Sequence, residues 1–313
     1  MLALLLLSFL PCAVAGATPV AVTGATGKLG RHAVEQLVAA GHPVRCLVRC
    51  DPAATASRGQ DARNTEVAAW LATLPGVELI KGEVTDRQAV GHLLQGCKVC
   101  LALHGVSRLT KLTDWLPWFD ESQEPMHARQ VNCEAISLLL SVAEEHHLER
   151  LVRVSGKGED PFSITSILIN AIGSMSKAWN FEGERRLRAG KLDYTIIRPG
   201  FMGDVDATLD DDKALALVDD GGELKVTAIP YRSVADLCIR CLDYPQAARA
   251  TLVAMTQPQP GPRSWEPLLA TVKADRRTFA GPEMLEKHYL AVRGFGASIA
   301  AVLATLTVLL LNR

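Results

Sequence analysis

The chain has 313 residues, with 48% hydrophobic and 21% charged side chains, enough apolar material for one large mixed core. Its 33 Lys and Arg nearly cancel 34 Asp and Glu, leaving a net charge of -1. That balance excludes the broad basic field that gathers nucleic acid, and no acidic tail is present. Met1 to Ala15 reads MLALLLLSFLPCAVA, with no charged side chain and a small-x-small close at Ala13-Val14-Ala15. Residues 1–15 therefore read as a secretory signal peptide ending before Gly16, or as an uncleaved hydrophobic anchor, since the first residues lack Lys and Arg.

From residue 19 onward, apolar runs alternate with helical patterns. Pro19 to Thr23 is a short strand, and Leu29, Ala33, Leu37 and Ala40 then recur at helical spacing up to Gly41. Further strands are expected at 44–48, 77–80, 99–103, 151–154 and 194–197, with helices at 63–73, 87–95, 128–147 and 174–189. Strand and helix repeated in this way predict an α/β fold, a doubly wound parallel sheet covered on both faces. After Pro199 the pattern loosens into a small substrate-side region. Acidic turns at 210–212 and 219–222 precede a helix at 233–242 and a last strand at 250–255. The predicted layout is one domain over 19–255, then a linker with peripheral helices over 256–292. Three prolines between Thr256 and Pro262 mark the linker. Residues 294–311, GFGASIAAVLATLTVLLL, are flanked by Arg293 and Arg313 and predict a C-terminal transmembrane helix. Eighteen residues make about 27 Å against a hydrocarbon core of ~30 Å.

The first strand leads directly into Thr23-Gly24-Ala25-Thr26-Gly27-Lys28-Leu29-Gly30, which opens the first helix. Gly24 permits the tight turn, Gly27 lets the backbone approach a pyrophosphate, and Gly30 allows close helix–strand packing. The helix N-terminus offers free N–H groups and partial positive charge to the phosphates. The place of this motif, at the head of a β/α alternation, makes it a dinucleotide fingerprint rather than a chance glycine turn. The second strand ends in Arg49, where an Asp or Glu would grip the ribose hydroxyls of NAD. An arginine there predicts NADP(H) over NAD, through a bidentate pair with the 2′-phosphate. Asp51 remains a candidate ribose contact. Among eight cysteines, Cys97-x-x-Cys100 and Cys238-x-x-Cys241 have metal-like spacing, but they fall on a core strand and a helix 138 positions apart. They read as buried small hydrophobes, and no metal site is expected.

TGATGKLG at 23–30, LVR at 47–49, GEVTD at 82–86, LERLVRVSG at 148–156 and DYTIIRPGF at 193–201 resemble the atypical short-chain dehydrogenases/reductases. That group includes NmrA-like proteins, the NAD(P)-binding accessory subunit of respiratory complex I and plastid assembly factors. The resemblance spans roughly residues 19 to 255. It implies that Asp86 sits near the adenine and that Leu103, His104 and Gly105 line the cofactor. It further implies that Ser155 is the catalytic serine, and that Pro199, Gly200 and Phe201 close over the nicotinamide. The family's proton-transferring pair is Tyr-x-x-x-Lys on the helix after the fifth strand. Here Lys177 is present, to act in catalysis and hold the ribose, but Gly173 stands where the tyrosine belongs, and the first tyrosine of the chain is Tyr194.

That departure shapes the functional expectation. One reading is a membrane-tethered NADP(H)-dependent oxidoreductase acting on a small hydrophobic or quinone-like substrate, which tolerates the missing tyrosine. The other is a non-catalytic NAD(P)H-binding assembly or regulatory factor for a membrane complex. The terminal segments predict a membrane of the secretory pathway or of an organelle, the plastid included, with the domain on either side. Glu182 can approach Lys177, Arg185 and Arg188 read as solvated, and the stretch Trp115–Phe119 reads as a lid, a partner contact or a packed loop.

Overall fold

The computed structural model describes residues 18–51, 60–106, 108–116, 118–156, 159–203 and 207–311. The expected signal segment, 1–15, lies outside the described residues. The chain runs β1 (Val20–Thr23), α1 (Lys28–Ala39), β2 (Val44–Val48), α2 (Gln60–Leu71), β3 (Val77–Lys81), α3 (Arg87–Leu94) and β4 (Val99–Ala102). A π-helical turn, Arg129–Glu134, leads into α4 (Ala135–Glu145), followed by β5 (Arg150–Val154), α5 (Ile164–Ile172), α6 (Ser176–Ala189) and β6 (Asp193–Pro199). The remainder is β7 (Phe201–Gly203), β8 (Lys213–Val218), β9 (Ala228–Pro230), α7 (Tyr231–Asp243), β10 (Ala250–Pro258), α8 (Glu266–Leu269) and α9 (Glu283–Leu311).

Eight strands form one sheet in the order β3-β2-β1-β4-β5-β6-β10-β8. All neighbours pair in parallel except β8, which runs antiparallel to β10 at the edge. Period-two alternation along the strands feeds two cores. Val20 and Val22 of β1, Leu101 of β4 and Val152 of β5 face one layer, where Val34 and Leu37 of α1 meet Leu237 and Cys241 of α7. Ala21, Cys100, Leu151 and Ile196 face the other, against Leu93, Leu94, Ile136, Leu139 and Leu187. The chain order reverses between β1 and β4, so the loops after these two strands diverge to opposite faces and open a crevice there.

Three departures from the sequence expectation bear on function. First, the helix expected over 174–189 is α6, starting at Ser176, but a further helix that was not expected precedes it. The apolar run ITSILINAI forms α5, Gly173 ends it, and Ser174 and Met175 take left-handed φ of 53° and 60° before α6 starts. Being apolar almost throughout, α5 shows no helical period in the sequence. Second, β8 was not expected, and β10 runs to Pro258, into the stretch read as linker. The acidic turns on either side of β8 mask a strand whose partner residues lie 35 (Val218 to Val253) to 45 (Lys213 to Pro258) positions away.

Third, the expected membrane span over 294–311 is overturned: among the described residues no helix is long and apolar enough to cross a membrane. That segment is the end of α9, which begins at Glu283 and carries Glu286, Lys287 and Arg293 in its first half. The first half docks on α5 and α6, burying His288, Ala291 and Val292. The apolar run thus continues a helix whose position is set by packing on the domain, and the expected membrane tether finds no support.

Candidate functional site

Gly24 has φ of +72°, and a Cβ there would lie 2.6 Å from the backbone nitrogen of His104. A Cβ on Gly30 would lie 2.1 Å from the Gly24 carbonyl oxygen. Both positions therefore exclude any side chain, one by conformation and contact, the other by contact alone. Gly27 is the N-cap of α1 and supplies no side-chain cap, so the first-turn amides remain open to an anion. Gly24, Thr26 and Gly27 form one wall of a cleft at the crevice. Leu103, His104 and Gly105 form the facing wall, and residues 82–85 with Arg49 complete the outer end. Lys28 is exposed at the first turn and Leu29 is buried beneath it; neither lines the cleft. The glycine cradle, the open amides and the cleft together fit a dinucleotide.

At the outer end, Arg49 is exposed and places Nη1 3.3 Å from Met126 Sδ. Asp51 lies 3.6 Å from Lys81 Nζ, in a solvated pair. Asp86 caps α3: its Oδ1 accepts from the amides of Gln88 (2.9 Å) and Ala89 (3.4 Å). Its chain neighbours Glu83, Val84 and Thr85 line the cleft.

His104 is buried, with Nδ1 2.6 Å from Thr23 Oγ1. Burial, and then the Arg153 guanidinium, hold its imidazole well below the usual histidine range. It is a neutral ring at physiological pH. Arg153 sits inside β5 and donates to the carbonyl oxygens of Ala102 (3.2 Å) and His104 (2.6 Å) and to Asn180 Oδ1 (2.9 Å). It clamps the end of β4 to α6. Asn132, in the π-helical turn, accepts from the Val106 amide at 3.1 Å and donates to the Ser176 carbonyl at 3.2 Å. Neither residue was singled out from sequence, although an arginine inside the apolar strand LVRV was a usable signal.

A second pocket opens at the ends of β5 and β6, lined by Gly156, Lys177, Phe181, Glu184, Pro199, Gly200 and Phe201 among others. Ser155, at the end of β5, donates from Oγ to Glu184 Oε1 at 2.5 Å. Glu184 is buried. Burial alone would raise its carboxyl, but the Arg198 and Arg188 guanidiniums hold it down at about 2. Arg198 binds it with Nε at 3.0 Å and Nη2 at 2.5 Å, and Arg188 with Nη2 at 2.7 Å. Arg188, read as solvated from sequence, stacks on Phe279 at 3.7 Å, and a side chain with only 10% exposure joins this network. Glu182 pairs with Arg185, with both contacts at 2.7 Å.

Lys177 is buried in the first turn of α6, and its Nζ donates to Ser166 Oγ of α5 at 2.5 Å. The Lys177 amide binds Asn170 Oδ1 at 3.0 Å, and Asn170 Nδ2 lies 3.0 Å from Nδ1 of the buried His288 on α9. Burial, and then the Lys177 charge, lower His288 to about 4. Gly173 lies outside α6, beyond the break, where a Cβ would meet the Ile169 carbonyl and Ser176 Oγ at 2.9 Å. The one-turn Tyr–Lys geometry of the resembled family is therefore not built here. Of the chain's other tyrosines, Tyr194 donates to Asp275 at 3.0 Å and Tyr289 to Glu121.

No group of His, Cys, Asp and Glu able to hold a metal ion occurs among the described residues. Cys97, Cys100, Cys238 and Cys241 are buried and free, and burial pushes the Cys97 thiol up to about 11 and Cys241 to about 12. Of the 115–119 stretch, Trp118 is exposed, and the Phe119 ring lies 5.9 Å from that of His127.

A family profile described as NAD(P)H-binding matches residues 24–245. The chain belongs to the NAD(P)H-binding family. No curated protein matches it at a significant level. Among solved structures, a wide-type short-chain dehydrogenase/reductase from Veillonella parvula in complex with NADP is similar, with a TM-score of 0.55 at 11% identity, covering 79% of this chain and 96% of that one. An oxidoreductase from Lactococcus lactis gives 0.56 at 12%, covering 81% and 95%. An anaerobillin reductase from Escherichia coli gives 0.52 at 19%, covering 78% and 100%. At these identities the likeness is one of fold, and the fold agrees with the resemblance to atypical short-chain dehydrogenases/reductases. In this NAD(P)H-binding protein, the motif glycines and the walls around them are the part that the family membership and the geometry describe together.

Proposed function

We propose that the protein binds NADP(H) in preference to NAD(H) and passes hydride equivalents to a small, hydrophobic, quinone-like acceptor in the second pocket. The observation that carries the cofactor choice is Arg49 at the rim of the cleft, where β2 ends, while Asp51 is drawn toward Lys81 at 3.6 Å. A guanidinium there pairs with a 2′-phosphate. When bound, the dinucleotide supplies a hydride donor or acceptor. The walls offered by Ile169, Phe181, Phe201 and Val226 favour an apolar, planar acceptor.

One observation favours a second reading, a non-catalytic NAD(P)H-binding assembly or regulatory factor. Ser155 and Lys177 are both held inside the protein, by Glu184 and Ser166. The deciding experiment is titration of the protein with NADPH and NADH, then NADPH oxidation against a quinone panel. Tighter NADPH binding with turnover supports the oxidoreductase, and tight binding without turnover the regulatory factor. Arg49→Ala is expected to weaken NADPH by tenfold or more, about 1.5–3 kcal/mol for a charge-assisted pair, with little effect on NADH. Equal losses for both nucleotides sink the 2′-phosphate role.

A further inference from the structure

The oxidoreductase reading leaves a chemical gap: a reduced acceptor oxygen needs a proton, and the tyrosine position holds Gly173. Two hydroxyls at the start of α5, those of Ser166 and Ser163, link the buried Lys177 to another part of the second pocket's wall. Lys177 Nζ donates to Ser166 Oγ at 2.5 Å, and Ser166 Oγ lies 2.7 Å from Ser163 Oγ. Ser163 is half-buried and lines the same pocket as Lys177, Phe181 and Phe201. The Asp160 carbonyl oxygen lies 2.6 Å from Ser166 Oγ and 3.1 Å from Ser163 Oγ, an alternative acceptor for either proton when it is not donated along the row. Ser163 is also the N-cap of α5, its Oγ accepting from the Ser166 amide at 3.3 Å. Hydroxyls both donate and accept, so a row of them moves a proton without moving a heavy atom.

We propose that Ser163 is the proton donor of this protein, fed from the Lys177 ammonium through Ser166. This rests on the oxidoreductase reading above. As the acceptor takes up two electrons with hydride, its oxygen forms an O–H bond with the Ser163 proton. Ser163 is refilled from Ser166, and Ser166 from Lys177. The lysine, left neutral, regains a proton from water after product leaves. Per turnover, one hydride and one proton enter the acceptor, and NADPH becomes NADP. The chain places the acid on α5 rather than α6, which the break at residues 173–175 makes possible. The buried Ser166 and Lys177 act through Ser163.

The test separates proton delivery from helix capping. Ser163→Asn keeps a side chain that caps helices well but carries no hydroxyl, whereas Ser163→Thr keeps both. With NADPH and a turned-over quinone or enone, Ser163→Asn is expected to lower kcat 100-fold or more at nearly unchanged KM, and Ser163→Thr to restore most of it. Ser166→Ala is expected to lower kcat comparably. A second readout needs no turnover: exchange of the Lys177 ammonium protons with water, followed by 15N NMR and assigned through Lys177→Arg. Ser163→Asn is expected to slow that exchange several-fold, because it removes the outlet of the row. Turnover that survives Ser163→Asn, or exchange indifferent to it, overturns the relay and leaves the oxidoreductase reading standing. If no acceptor oxidises NADPH, both fall.

Discussion

The nucleotide cleft and the second pocket sit side by side at the ends of the strands, yet they are built in different ways. The cleft is mostly backbone: Gly24, Gly27 and Gly30 shape it within seven consecutive residues, and its chemistry is that of open amides and a close main-chain approach. The second pocket is mostly side chains gathered from α5, α6, the end of β6 and the segment around Val226, with charges balanced far apart in sequence. A backbone site fails when a side chain is added, and a charge-balanced site fails when one is removed.

The largest effect is expected where charge is most enclosed. Glu184→Gln removes the buried carboxylate that Arg198 and Arg188 share, leaving them Glu159 and Asp275, and is expected to cost about 3–5 kcal/mol in a denaturant melt. The same group makes an acid signature. Its carboxyl stands at about 2 in the folded chain against an ordinary 4.5. Its stabilisation is therefore complete above pH 4.5 and lost as pH falls toward 2. In Glu184→Gln that part of the stability–pH curve should be missing; an unchanged curve contradicts the assigned balance.

On the backbone side, Gly30→Ala pushes a methyl against the Gly24 carbonyl and is expected to cost about 1–3 kcal/mol while also weakening NADPH. A variant that melts like wild type with full affinity would mean the turn has room that the structure denies it. His288→Gln probes the joint between α9 and the pocket. Its imidazole stands at about 4, below an ordinary 6.5, so the unfolded chain binds the proton more readily. Stability then declines as pH falls from 6.5 to 4, by no more than about 3 kcal/mol for this group. His127, also lowered to about 4 by burial first, shares that window. His288→Gln should flatten the slope in part, and a slope that does not change removes His288 from the account. The smallest effect is expected at Asp86→Ala, about 1 kcal/mol for a lost N-cap, with NADPH affinity unchanged. A clear loss of affinity there would place Asp86 at the adenine.

Residues 19–199 could be read closely because local rules agree there. Apolar runs of strand length, helices closed by glycine and a glycine turn between them each predict the same alternation, and β1 through β6 follow it. The second pocket was legible only as isolated residues. Ser155 and Lys177 were picked out, but their partners Glu184 and Ser166 were not, since a hydrogen bond between two separate elements leaves no spacing in the sequence. Arg188 looked solvated because charge alone suggests a surface; its burial against Phe279 depends on a segment about 90 residues further on.

The sequence by itself determined the parallel body of the sheet, the crevice and the glycine cradle, because these follow from hydrophobic period, turn chemistry and the exclusion of a Cβ, all local quantities. It determined the absence of a tyrosine at 173 in the same direct way. Only the tertiary structure decided that the helix breaks there, that α9 docks on α5 and α6 rather than standing free as a span, and that a lysine and two serines share one row of hydrogen bonds. Those outcomes rest on which elements pack together. Burial makes each polar group seek a partner, wherever in the chain that partner lies.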